Sequence, residues 1–133
     1  MKKRILIVND NQPIVDTLKE VFEWHDYEVD GAGDGLECIH KVKHYPYDAI
    51  ILHFMLRRQL SGASTLERLN VFAPLIPVII SSSMGSKSTQ EYIDMGAFAH
   101  VEMPYTMDIL LDKIEKALVE HERRLGLYGH DDD

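Results

Sequence analysis

The residues able to do chemistry in this chain stand at the ends of short apolar runs. Ile5-Leu-Ile-Val8 ends on Asn9-Asp10-Asn11, Ala49-Ile-Ile-Leu52 ends on His53, and Val78-Ile-Ile80 ends on Ser81-Ser82-Ser83. A last run, Phe98 to Glu102, carries His100 and leads into Met103-Pro104. Imidazoles beside a carboxylate can sense pH, hold an ion such as Zn²⁺, or accept a phosphoryl group. His53, His100 and Asp10 come from separate runs without a local ligand motif, so the metal signal is weak. No Ser-His-Asp arrangement surrounds the serine triplet. Gly31, Gly33 and Gly35 follow the wrong strand for a dinucleotide fingerprint.

The elements that position these residues alternate between two periods. Continuous apolar runs bounded by turn signals suit strands covered on both faces, as in a parallel sheet. The run led by Asp48 is the most complete of them and is expected to be central. In open sheets of this kind ligands sit outside the carboxyl ends of the strands, which is where His53 falls. Between the runs, helical spacing marks Ile14, Leu18, Val21, Phe22 and His25, with Pro13 near the first turn. A short strand, Tyr27 to Val29, is expected to stop at the glycines. Leu36, Ile39, His40 and Val42 mark a second helix, and Leu66 and Leu69 a third. Ser86 or Ser88 can cap a fourth containing Tyr92, Ile93 and Met95. Thr106 caps a fifth, with Met107, Leu110, Leu111, Ile114, Leu118 and His121 on one face. Five strands alternating with five helices imply a right-handed, doubly wound α/β sheet.

The 133 residues fit one domain, assigned to 1–125, with 126–133 as an acidic tail or linker stub ending in three aspartates. A formal net charge of −8 argues against nucleic acid or an anionic membrane as a direct partner. Cys38 is the single cysteine, so no internal disulfide is possible. No apolar run approaches membrane-spanning length, and a cytoplasmic location is expected.

From about Lys3 to Leu125 the chain resembles the receiver domain of bacterial two-component response regulators, of the chemotaxis-regulator kind. The stretches that carry the resemblance are Ile5-Leu-Ile-Val-Asn-Asp-Asn11, Asp48-Ala-Ile-Ile-Leu-His53, Pro77-Val-Ile-Ile-Ser-Ser-Ser83 and Gly96-Ala-Phe-Ala-His-Val-Glu-Met-Pro-Tyr105. The resemblance implies a flavodoxin-like sheet of order 2-1-3-4-5 flanked by five helices. It also implies a phosphorylation pocket built from two acids that hold Mg²⁺, an acceptor aspartate, a hydroxyl and a lysine. At those positions this chain has Asn9 and Asp10, His53, Ser82 and Met103, and the family's aromatic switch position holds His100. Arg57 stands where proline is usual, and Gly62 comes one residue late.

These departures remove the chemistry. Mg²⁺ wants oxygen ligands in near-octahedral geometry, and only Asp10 is left as a residual ligand. Aspartyl-phosphate formation needs a carboxylate nucleophile, which His53 lacks. The cation that would stabilise the transferred phosphoryl group is replaced by a thioether. Losing acid and lysine together avoids stranding a buried charge. Asp10 is expected to pair with His53 across the pocket mouth, as a filler contact or as a built-in lock. The expectation is a degenerate receiver with no enzymatic activity and no cofactor, acting in signal transduction as a phosphorylation-independent protein-interaction module. The alternative is a pH, metal or small-ligand sensor in the vestigial pocket. The partner face implied by the resemblance lies on helix four, strand five and helix five. It carries Lys87, Glu91, Asp94, Glu102, Tyr105 and Lys113, for a protein partner or for self-association.

Overall fold

The computed structural model describes residues 2–126. Of the acidic tail expected at 126–133, all but Gly126 lies outside the described residues. Five strands alternate with five helices: β1 (Arg4–Val8), α1 (Gln12–Trp24), β2 (Glu28–Ala32), α2 (Gly35–His44), β3 (Ala49–His53), α3 (Gly62–Phe72), β4 (Val78–Ser82), α4 (Thr89–Asp94), β5 (Ala99–Glu102) and α5 (Met107–Arg124). The sheet is parallel throughout, in the order β2-β1-β3-β4-β5. The strand order therefore reverses between β1 and β3, and a crevice opens beyond their carboxyl ends.

Burial on both faces explains the continuous apolar runs, and the period of two within each run splits them between two cores. Leu6, Val8, Ile50, Leu52, Val78 and Ile80 pack with α2, α3 and α4, through Cys38, Ile39, Leu66, Leu69 and Tyr92. Ile5, Ile7, Ala49, Ile51 and Ile79 pack with α1 and α5, through Val15, Leu18, Phe22, Leu110, Ile114 and Ala117. These strand residues are essentially inaccessible to water. Truncating one of them to alanine, Ile79 for example, costs about 2–5 kcal/mol.

The helix caps follow their sequence signals. Asn11 accepts the Ile14 N–H and opens α1, with proline in its first turn. Ser88, rather than Ser86, caps α4 in a reciprocal box with Glu91. Thr106 opens α5.

Three local expectations are corrected. β2 does not stop before its glycines: it runs from Glu28 through Gly31 to Ala32, with Gly31 opposite Ile7. A Cβ at Gly31 would come within 2.7 Å of Val15 Cγ1, so the glycine lets α1 lie close on the sheet edge. His25 is exposed and caps α1, because the apolar stripe has already closed at Phe22 and Asp26, at φ +72°, turns the chain out of the helix. β5 begins at Ala99, with Phe98 only partly buried against the α1/α5 core.

Asp48 is a fastening residue. Its backbone N–H donates to the Arg4 carbonyl and its carboxylate accepts the Arg4 N–H, each at 2.7 Å. The other carboxylate oxygen lies 3.1 Å from His121 Nδ1 on α5. It thus ties the starts of β1 and β3 to the last helix.

Candidate functional site

The strand ends β1 and β3, the loop after β3 and the first turn of α1 enclose a cleft of about 730 Å³. Four of the five expected pocket residues, Asn9, Asp10, His53 and Met103, line it together with Ser83, Arg57 and Arg58. Ser82 does not. Successive strand residues face opposite sides, and Ser82 continues the face of Ile80, toward Tyr92 on α4.

His53 is half-buried, and its Nδ1 lies 3.2 Å from Ser81 Oγ, its direct neighbour across β3 and β4. Desolvation pushes the imidazole below the usual range; Asp10 opposes this through space, while Arg57 adds to it. The expected Asp10–His53 hydrogen bond is not formed. Asp10 Oδ2 instead accepts the backbone N–H of Arg57 at 3.2 Å, because the loop after β3 folds back over the strand ends. Gly62 makes that path possible: a Cβ there would lie 2.1 Å from the Phe54 carbonyl oxygen.

Asn9 is buried, only 6% exposed, and its Oδ1 accepts the Asn11 N–H at 2.9 Å. Met103 is half-buried on the cleft wall, and its N–H donates to the Ser82 carbonyl. The magnesium site implied by the resemblance does not fit these residues. One carboxylate faces the cleft with an oxygen already engaged, beside an amide, an imidazole and a thioether. Two arginines add positive charge at the rim. Among the described residues no group of three or more His, Cys, Asp or Glu could hold a metal ion.

His100 is 9% exposed and points inward. Its Nε2 lies 2.6 Å from Ser82 Oγ and its Nδ1 3.0 Å from Thr89 Oγ1, the first residue of α4. The ring also packs at 4.6 Å on Tyr92, whose hydroxyl is 2.8 Å from Ser86 Oγ. Burial lowers the His100 pKa, with Glu102 opposing. Sequence reasoning found His100 and Ser82 but missed Thr89 and Tyr92 as their partners. It also missed Ser83 and the two arginines as cleft residues. Arg57-Arg58, an adjacent pair in the loop after β3, was the available signal.

On the expected partner face, Lys87, Glu91, Asp94 and Glu102 are exposed and Lys113 is half-exposed. Several already have partners within the domain: Glu91 in the α4 cap, Asp94 with Gln90, and Glu102 with the Gly85 N–H. Tyr105 departs from expectation. It packs against the α1/α5 core, and burial raises its phenol pKa.

No helix among the described residues is long and apolar enough to cross a membrane. Residues 5–115 match the family model of the response regulator receiver domain. The chain is 31% identical over 119 residues to sporulation initiation phosphotransferase F of Bacillus subtilis, covering 89% of this chain and 95% of that protein. It is 32% identical over 116 residues to response regulator RR06 of Streptococcus pneumoniae, where it covers 86% of this chain but only 52% of the relative. Among solved structures, a CheY-like receiver domain protein from Methanospirillum hungatei superposes with a TM-score of 0.83 at 28% identity, covering 92% of this chain and 98% of the other. The receiver domain of NtrX from Brucella abortus gives 0.82 at 25% identity, covering 86% and 98%. The sheet order, the cleft at the β1/β3 reversal and these matches agree: this chain belongs to the response regulator receiver domain family of two-component signalling.

Proposed function

We propose that this receiver works without phosphorylation, as a constitutive protein-binding module whose readout face stays in one setting. The observation that carries the reading is His100, bonded through both ring nitrogens to Ser82 on β4 and Thr89 on α4. A hydroxyl can donate or accept, so the neutral ring is satisfied on both sides without a phosphoryl group to recruit Ser82. At the strand-three end the side chain is an imidazole, and the lysine position is a thioether, so the parts for aspartyl phosphorylation are missing. The module performs no catalysis in this reading.

The surface that follows is α4-β5-α5, including Lys87, Glu91, Asp94, Glu102 and Lys113. Its occupant is a protein partner of the signalling pathway or a second copy of the chain. Charge reversal at Lys87 and Lys113, measured by pull-down and sedimentation, is expected to abolish association. Wild-type association is expected to be indifferent to Mg²⁺ and acetyl phosphate. Uptake of one phosphoryl group in intact-mass spectra, with a change in association, would falsify the proposal.

A further inference from the structure

The cleft has lost the features of a cation site and acquired those of an anion site. Asn9 Oδ1 accepts the Asn11 N–H, which assigns the amide orientation. The Asn9 Nδ2 donor is then left in a side chain more than nine-tenths buried, lining the cleft with no hydrogen-bond partner among the described residues. A buried donor of that kind is costly unless something accepts from it. His53 lines the same cleft with its Nδ1 against Ser81 Oγ, and the tautomer in which that hydroxyl donates to Nδ1 carries an Nε2–H donor. Ser83 lines the cleft as well, and the exposed Arg57 and Arg58 line it without an ion pair among the described residues. Among the described residues that line the cleft, Asp10 is the one opposing charge. Its carboxylate accepts the Arg57 backbone N–H and so positions that arginine. Two arginines against one aspartate make the lining locally positive in a chain of formal charge −8.

Donors converging from several sides suit an anion with three acceptor oxygens, and arginine is the side chain best shaped for phosphate. The cleft is far larger than a bare phosphate and has apolar wall from Ile14, Met55 and Met103 beside the donors. We propose that this cleft binds a phosphate group, free or carried by a small monoester, reversibly and without a metal ion. No bond to phosphorus forms or breaks. The site is independent of whether α4-β5-α5 associates constitutively, and partner association is scored separately.

The test is calorimetric titration of the whole chain, in EDTA at constant ionic strength, with inorganic phosphate and with glycerol 3-phosphate, using chloride as control. Saturable binding of both, competing for one site, is expected. Tighter binding of the ester assigns an organic phosphate as ligand; tighter binding of free phosphate assigns the ion, and either supports the anion site. Arg57→Gln with Arg58→Gln, both exposed and so neutral to folding, is expected to weaken binding about tenfold or more. Asn9→Asp, which replaces the buried donor by a like charge, is expected to do the same. Amide shifts in NMR spectra are expected to cluster at Asn9, His53 and Ser83. Lack of saturable binding, binding that requires Mg²⁺, undiminished binding by the double-arginine variant, or a covalent adduct on His53 would each overturn the proposal.

Discussion

Ser82 Oγ lies 2.6 Å from His100 Nε2, so the hydroxyl expected in the cleft is turned instead to the buried switch position. Through Thr89 the same imidazole reaches the first residue of α4. His100→Phe keeps a ring against Tyr92 but leaves the buried Ser82 hydroxyl without a partner and releases the exposed Thr89 hydroxyl to water. It is expected to cost about 1–3 kcal/mol, and to speed amide hydrogen exchange in α4 more than in α5. Equal exchange in both helices would show that His100 does not anchor α4.

Stability is expected to fall as pH drops through the neutral-to-acid range. His53, His100 and His121 all have imidazole pKa values lowered by burial from the ordinary 6.5. A lowered base binds fewer protons folded than unfolded. Its contribution is therefore complete above the unfolded value, and is lost as pH falls from there toward the folded value. His121 faces Asp48 from the lead into β3, Lys3 from the lead into β1 and Arg124 on its own helix. Chemical denaturation at pH 7.5 and pH 5.5 would give the difference, and His121→Gln is expected to reduce it. An acid-side gain in stability would contradict the direction.

A second acid component lies lower. Glu120 is held at about 2 by Arg123 and Arg124, which donate to its carboxylate. Its stabilisation is present above the ordinary carboxylate range and disappears as pH falls through the folded value. Arg123 is largely exposed, so solvent screens much of the effect. Glu120→Gln is expected to lower stability at neutral pH by about 0.5–1 kcal/mol and to flatten the acid limb. An unchanged acid limb would place the pair outside the stability balance.

Gly31→Ala tests the close approach of α1 to β2. The added methyl would meet Val15 Cγ1 at 2.7 Å, and overpacking of that kind costs about 1–3 kcal/mol. Pairing it with Val15→Ala is expected to recover part of the loss in a double-mutant cycle. Additive losses would show that the contact is not the cause.

Restoring the acids and the cation tests the account of the cleft. Asn9→Asp, His53→Asp and Met103→Lys together are expected to gain acetyl-phosphate labelling with Mg²⁺, detected as one acid-stable, base-labile phosphoryl group. The wild-type chain is expected to stay unlabelled. Labelling of wild type, or none in the triple variant, would mean that other residues decide the chemistry.

What the sequence by itself determined was the frame. Each strand is buried on both faces, so Ile5 to Val8, Ala49 to Leu52 and Val78 to Ile80 read as apolar runs. Helices covered on one face only show their period, as α5 does through Leu110, Ile114 and Leu118. Order along the chain then placed Asn9, Asp10, His53 and Met103 at one end of the sheet, because parallel strands present all their carboxyl ends together. Only the tertiary structure decided which neighbours those side chains take. Strand alternation sends Ser81 to His53 and Ser82 to His100, although the three serines read alike in sequence. The fold-back of the loop after β3 gives Asp10 to the Arg57 N–H and leaves the Asn9 amide facing the cleft. Those choices depend on backbone groups and neighbours far apart in the chain, which no local pattern of residue types encodes.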